Sequence, residues 1–196
     1  MKRRVVVTGL GFVSPLGHDK ETILKAFKEG SCGIGKITHY DASEDDVQLA
    51  AEVKDYDEEN LIEARAKRRM DLVNQYALIA GIKAYRDSGL TTKGEGHGVS
   101  MGSGIGGLET IQQEAFRACE VGYGRLSPFF IPKAISNISA AYLAIELGFH
   151  GSCKCPVTAC ASGTDAIGEG YRSIKDGYLD VVLCGGTEAS INPLGV

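Results

Sequence analysis

Residues 153–186 read CKCPVTACASGTDAIGEGYRSIKDGYLDVVLCGG, and this stretch decides the fold class of the 196-residue chain. Its first part, CKCPVTA, has the composition of a strand, and its last part, DVVLCGG, is a short apolar run typical of a buried strand. Between them, apolar residues recur at helical spacing over residues 160–176, and Gly177 is a typical helix stop. A strand, a helix and a second strand in this order indicate an α/β fold.

The sequence towards the amino terminus begins the same alternation. An apolar run over residues 5–7, ended by Gly9, predicts a first buried strand. A helix follows, with Asp19 as a plausible N-cap and Gly30 as a plausible stop. Residues 31–60 are polar and acidic, which favours surface loops and short edge strands.

The middle of the chain continues the pattern. Apolar spacing predicts helices over residues 64–85, 108–119 and 133–147, and GVSMG (98–102) has the composition of a strand. We therefore predict a mixed, mostly parallel sheet with helices on both faces.

Composition excludes several classes of partner. The 21 basic and 25 acidic residues leave a net charge of −4, so nothing favours general binding to nucleic acid or to an anionic membrane. The longest apolar segment, AAYLAIELGF, is too short to span a bilayer and contains Glu146. The six cysteines are unevenly spaced and lie mostly in apolar runs, which indicates reduced thiols and a cytoplasmic protein.

Cys160 is the strongest candidate for a reactive group. It lies where the strand CKCPVTA gives way to a helix, and a helix amino terminus stabilises negative charge beside it. The small residues around it, such as Ala159 and Ala161, leave room beside the sulfur. The pattern favours a nucleophile with an amide for an oxyanion, although a small buried thiol would also fit. None of the four histidines stands out as a partner base.

Two further interpretations concern a bound group. Glycines at 102, 104 and 107 have the G-x-G-x-x-G spacing of a dinucleotide site, which is weak alone because any tight strand-to-helix turn can show it. A zinc site is a second possibility, but the spacing lacks paired C-x-x-C ligands. Its ligands would be His150, Cys153, Cys155 and Cys160.

A basic cluster contrasts with the acidic balance of the chain. Arg65, Arg68 and Arg69 would share one face of the predicted helix. A solvated helix surface is the ordinary interpretation of such a cluster. The alternative is a docking surface where guanidinium groups meet acidic groups of a partner.

Six motifs together resemble one family. In chain order they are RRVVVTGLGFVSPLG, RRMD, GSGIGG, SPFFIP, TACASG and GGTEASINPLG. Their order and spacing are similar to those of the elongating β-ketoacyl-acyl carrier protein synthases, most of all to the synthase II type. The resemblance implies a thiolase-like fold of two similar α-β-α halves. Residues 1–196 would form most of the first half, since whole enzymes of this family are about twice as long.

The resemblance also implies a reaction. Cys160 would attack an acyl-carrier thioester and hold the acyl chain, and malonyl-carrier would lose carbon dioxide and condense with it. The family uses two histidines and a lysine from its second half, and no histidine of this chain matches them. We therefore expect a chain that carries the nucleophile but cannot condense alone. No metal ion and no organic cofactor is implied.

Other roles carry over by position. Ile105 matches the floor of the acyl pocket, Phe130 matches an aromatic residue that reaches the pocket across a homodimer interface, and Ala159 lies beside the nucleophile. The cluster Arg65, Arg68 and Arg69 matches the surface that meets acidic helices of the acyl carrier protein. Two alternatives stay open, a non-catalytic partner subunit of the same fold and a dinucleotide-binding oxidoreductase.

Overall fold

The computed structural model describes residues 3–57 and 59–196. The helices are α1 (Lys20–Glu29), α2 (Ala64–Lys67), α3 (Leu72–Asp87), α4 (Leu108–Val121), α5 (Phe130–Ala134), α6 (Ile138–Leu147) and α7 (Ser162–Lys175). The strands are β1 (Gly35–Lys36), β2 (Leu49–Ala50), β3 (His97–Gly102), β4 (Cys153–Lys154) and β5 (Val181–Gly186). A 3-10 turn, Tyr123–Arg125, follows α4.

The main sheet is parallel and has the order β4-β3-β5. The central strand β3 pairs with β5 along its whole length, from His97 opposite Val181 to Gly102 opposite Gly186. Strands β1 and β2 form a separate antiparallel pair within the polar region, as expected for short edge strands. The predicted α/β class with a mixed, mostly parallel sheet is confirmed.

Helices cover both faces of the main sheet, as alternate residues of β5 show. Val181 and Leu183 pack against the buried core that α3, α6 and β3 share. Val182 and Cys184, which alternate with them along β5, face α7 on the other side. A Cβ at Gly170 of α7 would lie 3.2 Å from the Cβ of Cys184 and 3.3 Å from Val182. Successive strand residues point to opposite faces, so α7 covers one side and α3 with α6 the other.

The ends of α1 follow the sequence closely. The Asp19 carboxylate accepts a hydrogen bond from the Thr22 amide at 2.8 Å, and Gly30 adopts a left-handed conformation with φ of 66°. Both predicted ends are confirmed. Ile23 is buried, whereas Phe27, one turn later on the same helix, is 67% exposed.

The predicted first strand over residues 5–7 is wrong. This segment forms no strand ladder, and Val7 is 80% exposed. Together with residues of β5 and α3, it lines an apolar cavity of about 440 Å³. An apolar run becomes a strand only where a neighbour pairs its backbone groups. Just before the segment, Arg3 forms an exposed ion pair with Asp180 at 2.7 Å.

Two predicted helices are each broken in two, and one predicted strand is shortened. The helix expected over residues 64–85 is interrupted where Asp71 caps α3. The helix expected over 133–147 stops at Ile135, whose backbone is extended with ψ of 138°. The strand expected over 153–159 ends at Lys154, close to Pro156, which has no amide proton to donate. In each case a local capping or backbone feature outweighs the apolar pattern.

Candidate active site

Three sequence motifs meet at one edge of the main sheet. The segment GSGIGG begins at the end of β3, TACASG follows β4 and runs into the first turn of α7, and GGTEAS begins at the end of β5. The carboxyl ends of parallel strands share one edge, where α/β proteins commonly place their sites. The parallel registers of β3 with β4 and with β5 therefore bring these three motifs together.

Cys160 lies in a strained turn immediately before α7. The preceding residue, Ala159, has φ of 52°, in the left-handed region that residues other than glycine rarely adopt. The Ser162 hydroxyl stabilises the turn because it donates to the Ala159 carbonyl at 2.6 Å and accepts from the Thr158 amide at 2.9 Å. Cys160 is exposed. A sharp turn into a helix amino terminus is the arrangement that presents a nucleophile.

The predicted helix over 160–176 is confirmed, with its start at Ser162 instead of residue 160. Glycines allow its first turn to lie directly on the sheet edge. A Cβ at Gly102 would lie 2.3 Å from the Ser162 carbonyl oxygen, and one at Gly186 would lie 2.7 Å from the Cα of Gly163. The backbones of β3, β5 and α7 therefore touch where Cys160 is presented.

The loop that carries Ile105 is held beside this turn by a carboxylate. Glu188 accepts a hydrogen bond from the Gly104 amide at 2.7 Å and another from the Ser103 hydroxyl at 3.4 Å. A Cβ at Gly104 would lie 3.6 Å from the Cα of Ala159, so the loop and the cysteine turn are neighbours. The side chain of Ile105 is 51% exposed.

Glu188 was given no role from the sequence, although a signal for it was present. A carboxylate that directly follows the apolar run VVLCGGT lies at the carboxyl end of a strand. Functional polar groups cluster at this edge in α/β folds.

Helix α5, which carries Phe130, packs on the other side of the same loop. The Gly107 amide donates to the Ala134 carbonyl at 3.0 Å. A Cβ at Gly106 would lie 2.6 Å from that same carbonyl oxygen. The structure thus brings together the cysteine turn, the Ile105 loop and the helix of Phe130.

Cys155 and Cys184 also lie in this region and are half-buried. Burial raises the pKa of Cys155, and the Glu188 carboxylate raises it further against opposing hydrogen bonds from Ser136 and Ser103. Burial also raises the pKa of Cys184. Both groups therefore remain protonated thiols at neutral pH.

Within residues 3–57 and 59–196, no three histidine, cysteine or acidic side chains are placed to hold a metal ion.

A family model described as the β-ketoacyl synthase N-terminal domain matches residues 2–196. The chain belongs to the β-ketoacyl synthase family. The family predicted from the six motifs is therefore confirmed.

Curated relatives of this synthase-family chain are named 3-oxoacyl-acyl-carrier-protein synthase 2. The protein from Synechocystis sp. is 40% identical over 98% of the chain, and the one from Vibrio harveyi is 41% identical over all of it. These matches cover 47% and 48% of the two relatives, so the chain spans about half of their length.

Solved ketosynthases share the fold. A structure described as the ishigamide ketosynthase/chain length factor aligns with a TM-score of 0.87 at 29% identity, over 96% of this chain and 48% of that one. A β-ketoacyl synthase from Burkholderia phymatum aligns at 0.83 with 27% identity, over 99% and 48% of the two chains. A third neighbour is a type II polyketide ketosynthase in complex with its acyl-carrier protein, with a TM-score of 0.81 at 26% identity, over 99% and 54%.

The basic cluster of this synthase-family chain is exposed but is not on one continuous helix. Arg65 lies in α2, Arg68 caps its end, and Arg69 follows in the turn before α3. Helical spacing therefore applies to Arg65 and Arg68, whereas Arg69 lies beyond the end of α2. The guanidinium of Arg69 lies 5.0 Å from the ring centroid of Phe129, next to Phe130. Lys67, which lies within the same stretch of sequence, forms an ion pair with Asp57 at 2.6 Å.

The glycine-rich turn does not offer its backbone to a pyrophosphate. The Gly104 amide already donates to the Glu188 carboxylate. The negative charge of this carboxylate would repel a phosphate group at the same place. The carbonyl of Lys133 lies against Gly107, at 2.3 Å from a Cβ position. The tight-turn interpretation of G-x-G-x-x-G is the one that this geometry favours.

Within the described residues, no helix combines the length and the apolar character needed to cross a membrane.

Proposed function

We propose that this chain supplies the nucleophile of a β-ketoacyl-acyl carrier protein synthase that elongates fatty acids. The observation that carries the proposal is the Cys160 turn, exposed and strained at the amino end of α7, within a chain of the ketoacyl synthase family. The names of the curated relatives support the same activity. A retained cysteine at this place also argues against a non-catalytic partner subunit.

The first step is transfer of an acyl group. The thiolate of Cys160 attacks the thioester carbonyl carbon of an acyl carrier, and a carbon–sulfur bond forms. The resulting oxyanion is stabilised by backbone amides at the start of α7, including that of Cys160. The intermediate collapses, the bond to the carrier sulfur breaks, and the carrier leaves as a thiol after taking a proton from solvent.

The second step is a decarboxylative condensation. Malonyl-carrier loses carbon dioxide, and the electron pair of the broken bond becomes a carbanion that attacks the Cys160 thioester. The product is a β-ketoacyl-carrier two carbons longer, and the Cys160 thiolate is released. Since no histidine of this chain matches those of the family, we infer that residues 1–196 form the acyl-loading portion of a larger synthase domain.

The acyl chain would lie along the loop and helix described above. We propose that Ile105 forms the floor of its pocket, that Phe130 lines it, and that Ala159 shapes the entrance beside the sulfur. Their neighbourhood around the Cys160 turn supports this assignment. We also propose that the protein works as a homodimer in the cytoplasm, and its six free cysteines are compatible with a reducing compartment.

The assay that tests the proposed function supplies the purified chain with long-chain acyl-carrier and malonyl-carrier together. We expect a stable acyl-enzyme on the chain and no β-ketoacyl product. Intact-protein mass spectrometry reports the loading, and chromatography of the carriers reports the condensation. Absence of loading would contradict the proposed function, and formation of product would contradict the division of labour.

The carrier protein is proposed to dock on the basic cluster, because its surface is acidic and the three arginines are exposed. We expect Arg68→Glu to weaken binding of acyl-carrier by roughly tenfold and to reduce its salt dependence. The control is Lys28→Glu, which makes the same charge change at an exposed position on α1. Equal affinities for the two variants, measured by calorimetry at low salt, would rule out this docking surface.

A further inference from the structure

The carboxylate of Asp71 is buried, with 4% of the residue exposed, and the functional proposal above gives it no role. It ends the motif RRMD and caps α3, because its Oδ1 accepts a hydrogen bond from the Val73 amide at 3.2 Å. A buried carboxylate requires several donors to replace water. One amide at this distance does not meet that requirement.

The remaining donors come from a different helix. Helix α4 begins after Gly107, which has no side chain to cap it. The Oδ2 atom of Asp71 accepts from the Thr110 amide at 3.0 Å and from the Thr110 hydroxyl at 2.6 Å, and both bonds are buried. One carboxylate therefore caps the amino termini of α3 and α4 together. Each helix terminus carries a partial positive charge, and this charge stabilises the Asp71 carboxylate.

The same carboxylate also touches the pocket loop itself. A Cβ at Gly107 would lie 3.0 Å from Oδ2 of Asp71, so the carboxylate lies directly against the end of the GSGIGG segment. Ile105 is two residues earlier in this loop. The position of the loop at this end is therefore tied to Asp71, as it is tied to Glu188 at the other end.

One turn later in α3, Asn74 binds helix α5, on the other side of the Ile105 loop. Asn74 is fully buried, its Nδ2 donates to the Lys133 carbonyl of α5 at 3.3 Å, and its Oδ1 accepts from the Ser139 hydroxyl at 2.8 Å. Helix α5 carries Phe130. The first turn of α3 thus binds both elements proposed to line the acyl pocket.

We propose that Asp71 is a positioning residue for acyl-chain selection, which fixes the Ile105 loop by capping α3 and α4 with one carboxylate. The inference rests on the proposed function for its substrate but not for its geometry. An amide cannot replace the carboxylate, because Asn would turn an NH₂ group towards either the Val73 amide or the Thr110 amide. Asp71→Asn therefore loses one of the two caps.

The first test measures hydrogen exchange and needs no activity. In Asp71→Asn we expect amides of residues 103–112 to exchange at least about tenfold faster than in the parent chain. Thr110→Val, which removes only the hydroxyl donor, should accelerate the same segment and keeps the test valid if Asp71→Asn does not fold. The control is Asp19→Asn, since Asp19 caps only its own helix, and it should affect α1 alone. Unchanged exchange over 103–112 in both test variants would overturn the shared cap.

The second test measures selectivity. The rate of Cys160 loading is compared for a short-chain and a long-chain acyl-carrier, and Asp71→Asn is expected to change their ratio by roughly tenfold, whereas Asp19→Asn leaves it unchanged. An unchanged ratio alongside faster exchange would overturn the role in selection. If the parent chain loads neither substrate, the proposed function fails, while the exchange measurement still decides whether Asp71 caps both helices.

Discussion

Replacing Cys160 with alanine is expected to lower acyl loading from an acyl-carrier thioester by more than about a thousandfold. The reaction requires a sulfur nucleophile at the carbonyl carbon, and no other thiol of the chain lies at the strained turn before α7 in the described structure. Burial raises the pKa of Cys155 and Cys184, which leaves both of them as protonated thiols at neutral pH. Intact-protein mass spectrometry over a time course measures the loss.

The matched control for this variant is Cys119→Ala. Cys119 is also exposed, but it lies near the end of α4 and away from a helix amino terminus. The control should load at the parental rate. Loading of Cys160→Ala at a rate within tenfold of the parent would show that the sulfur of Cys160 is not the acceptor.

Gly102→Ala is expected to destabilise the chain by about 3 kcal/mol or more. Its Cβ would lie 2.3 Å from the carbonyl oxygen and 2.4 Å from the carbonyl carbon of Ser162. These are backbone atoms in the first turn of α7, so they cannot move aside without moving the Cys160 turn and the sheet edge on which it rests. Urea denaturation gives the change in the free energy of unfolding.

Gly168→Ala provides the comparison for that variant. Gly168 lies within α7, and nothing lies within 4 Å of the position of its Cβ. Alanine forms helices better than glycine, so this variant should be more stable than the parent by about 1 kcal/mol. If the two variants unfolded at the same urea concentration, the close contact between β3 and α7 would not exist in solution.

Local features of the sequence predicted much of the fold. The apolar run at residues 181–186 and the helical spacing after Cys160 identified the parallel strand and helix around the site. Asp19 and Gly30 identified the ends of α1, because capping depends on side chains within a few residues. Cys160 was found in the same way, from its place between a strand and a helix.

Features that depend on distant contacts were missed. The valines at 5–7 have the composition of a strand, but whether they pair depends on where β5 lies. Glu188 and Asp71 were given no role, because their partners lie 84 and 39 residues away in the chain. The helix break before α3 could have been predicted, since an aspartate followed by an apolar run is a typical N-cap.

The most direct test of the central claim is site-resolved labelling of the parent chain with a long-chain acyl-carrier thioester. Peptide mass spectrometry after a short reaction at neutral pH reports the acylated fraction of each of the six cysteines. We expect the acyl group on Cys160 at least about a hundredfold faster than on the exposed Cys32 and Cys119, because Cys160, unlike these two, lies in the strained turn at the amino end of α7. Equal labelling of the exposed cysteines, or none at Cys160, would contradict its role as the acyl acceptor.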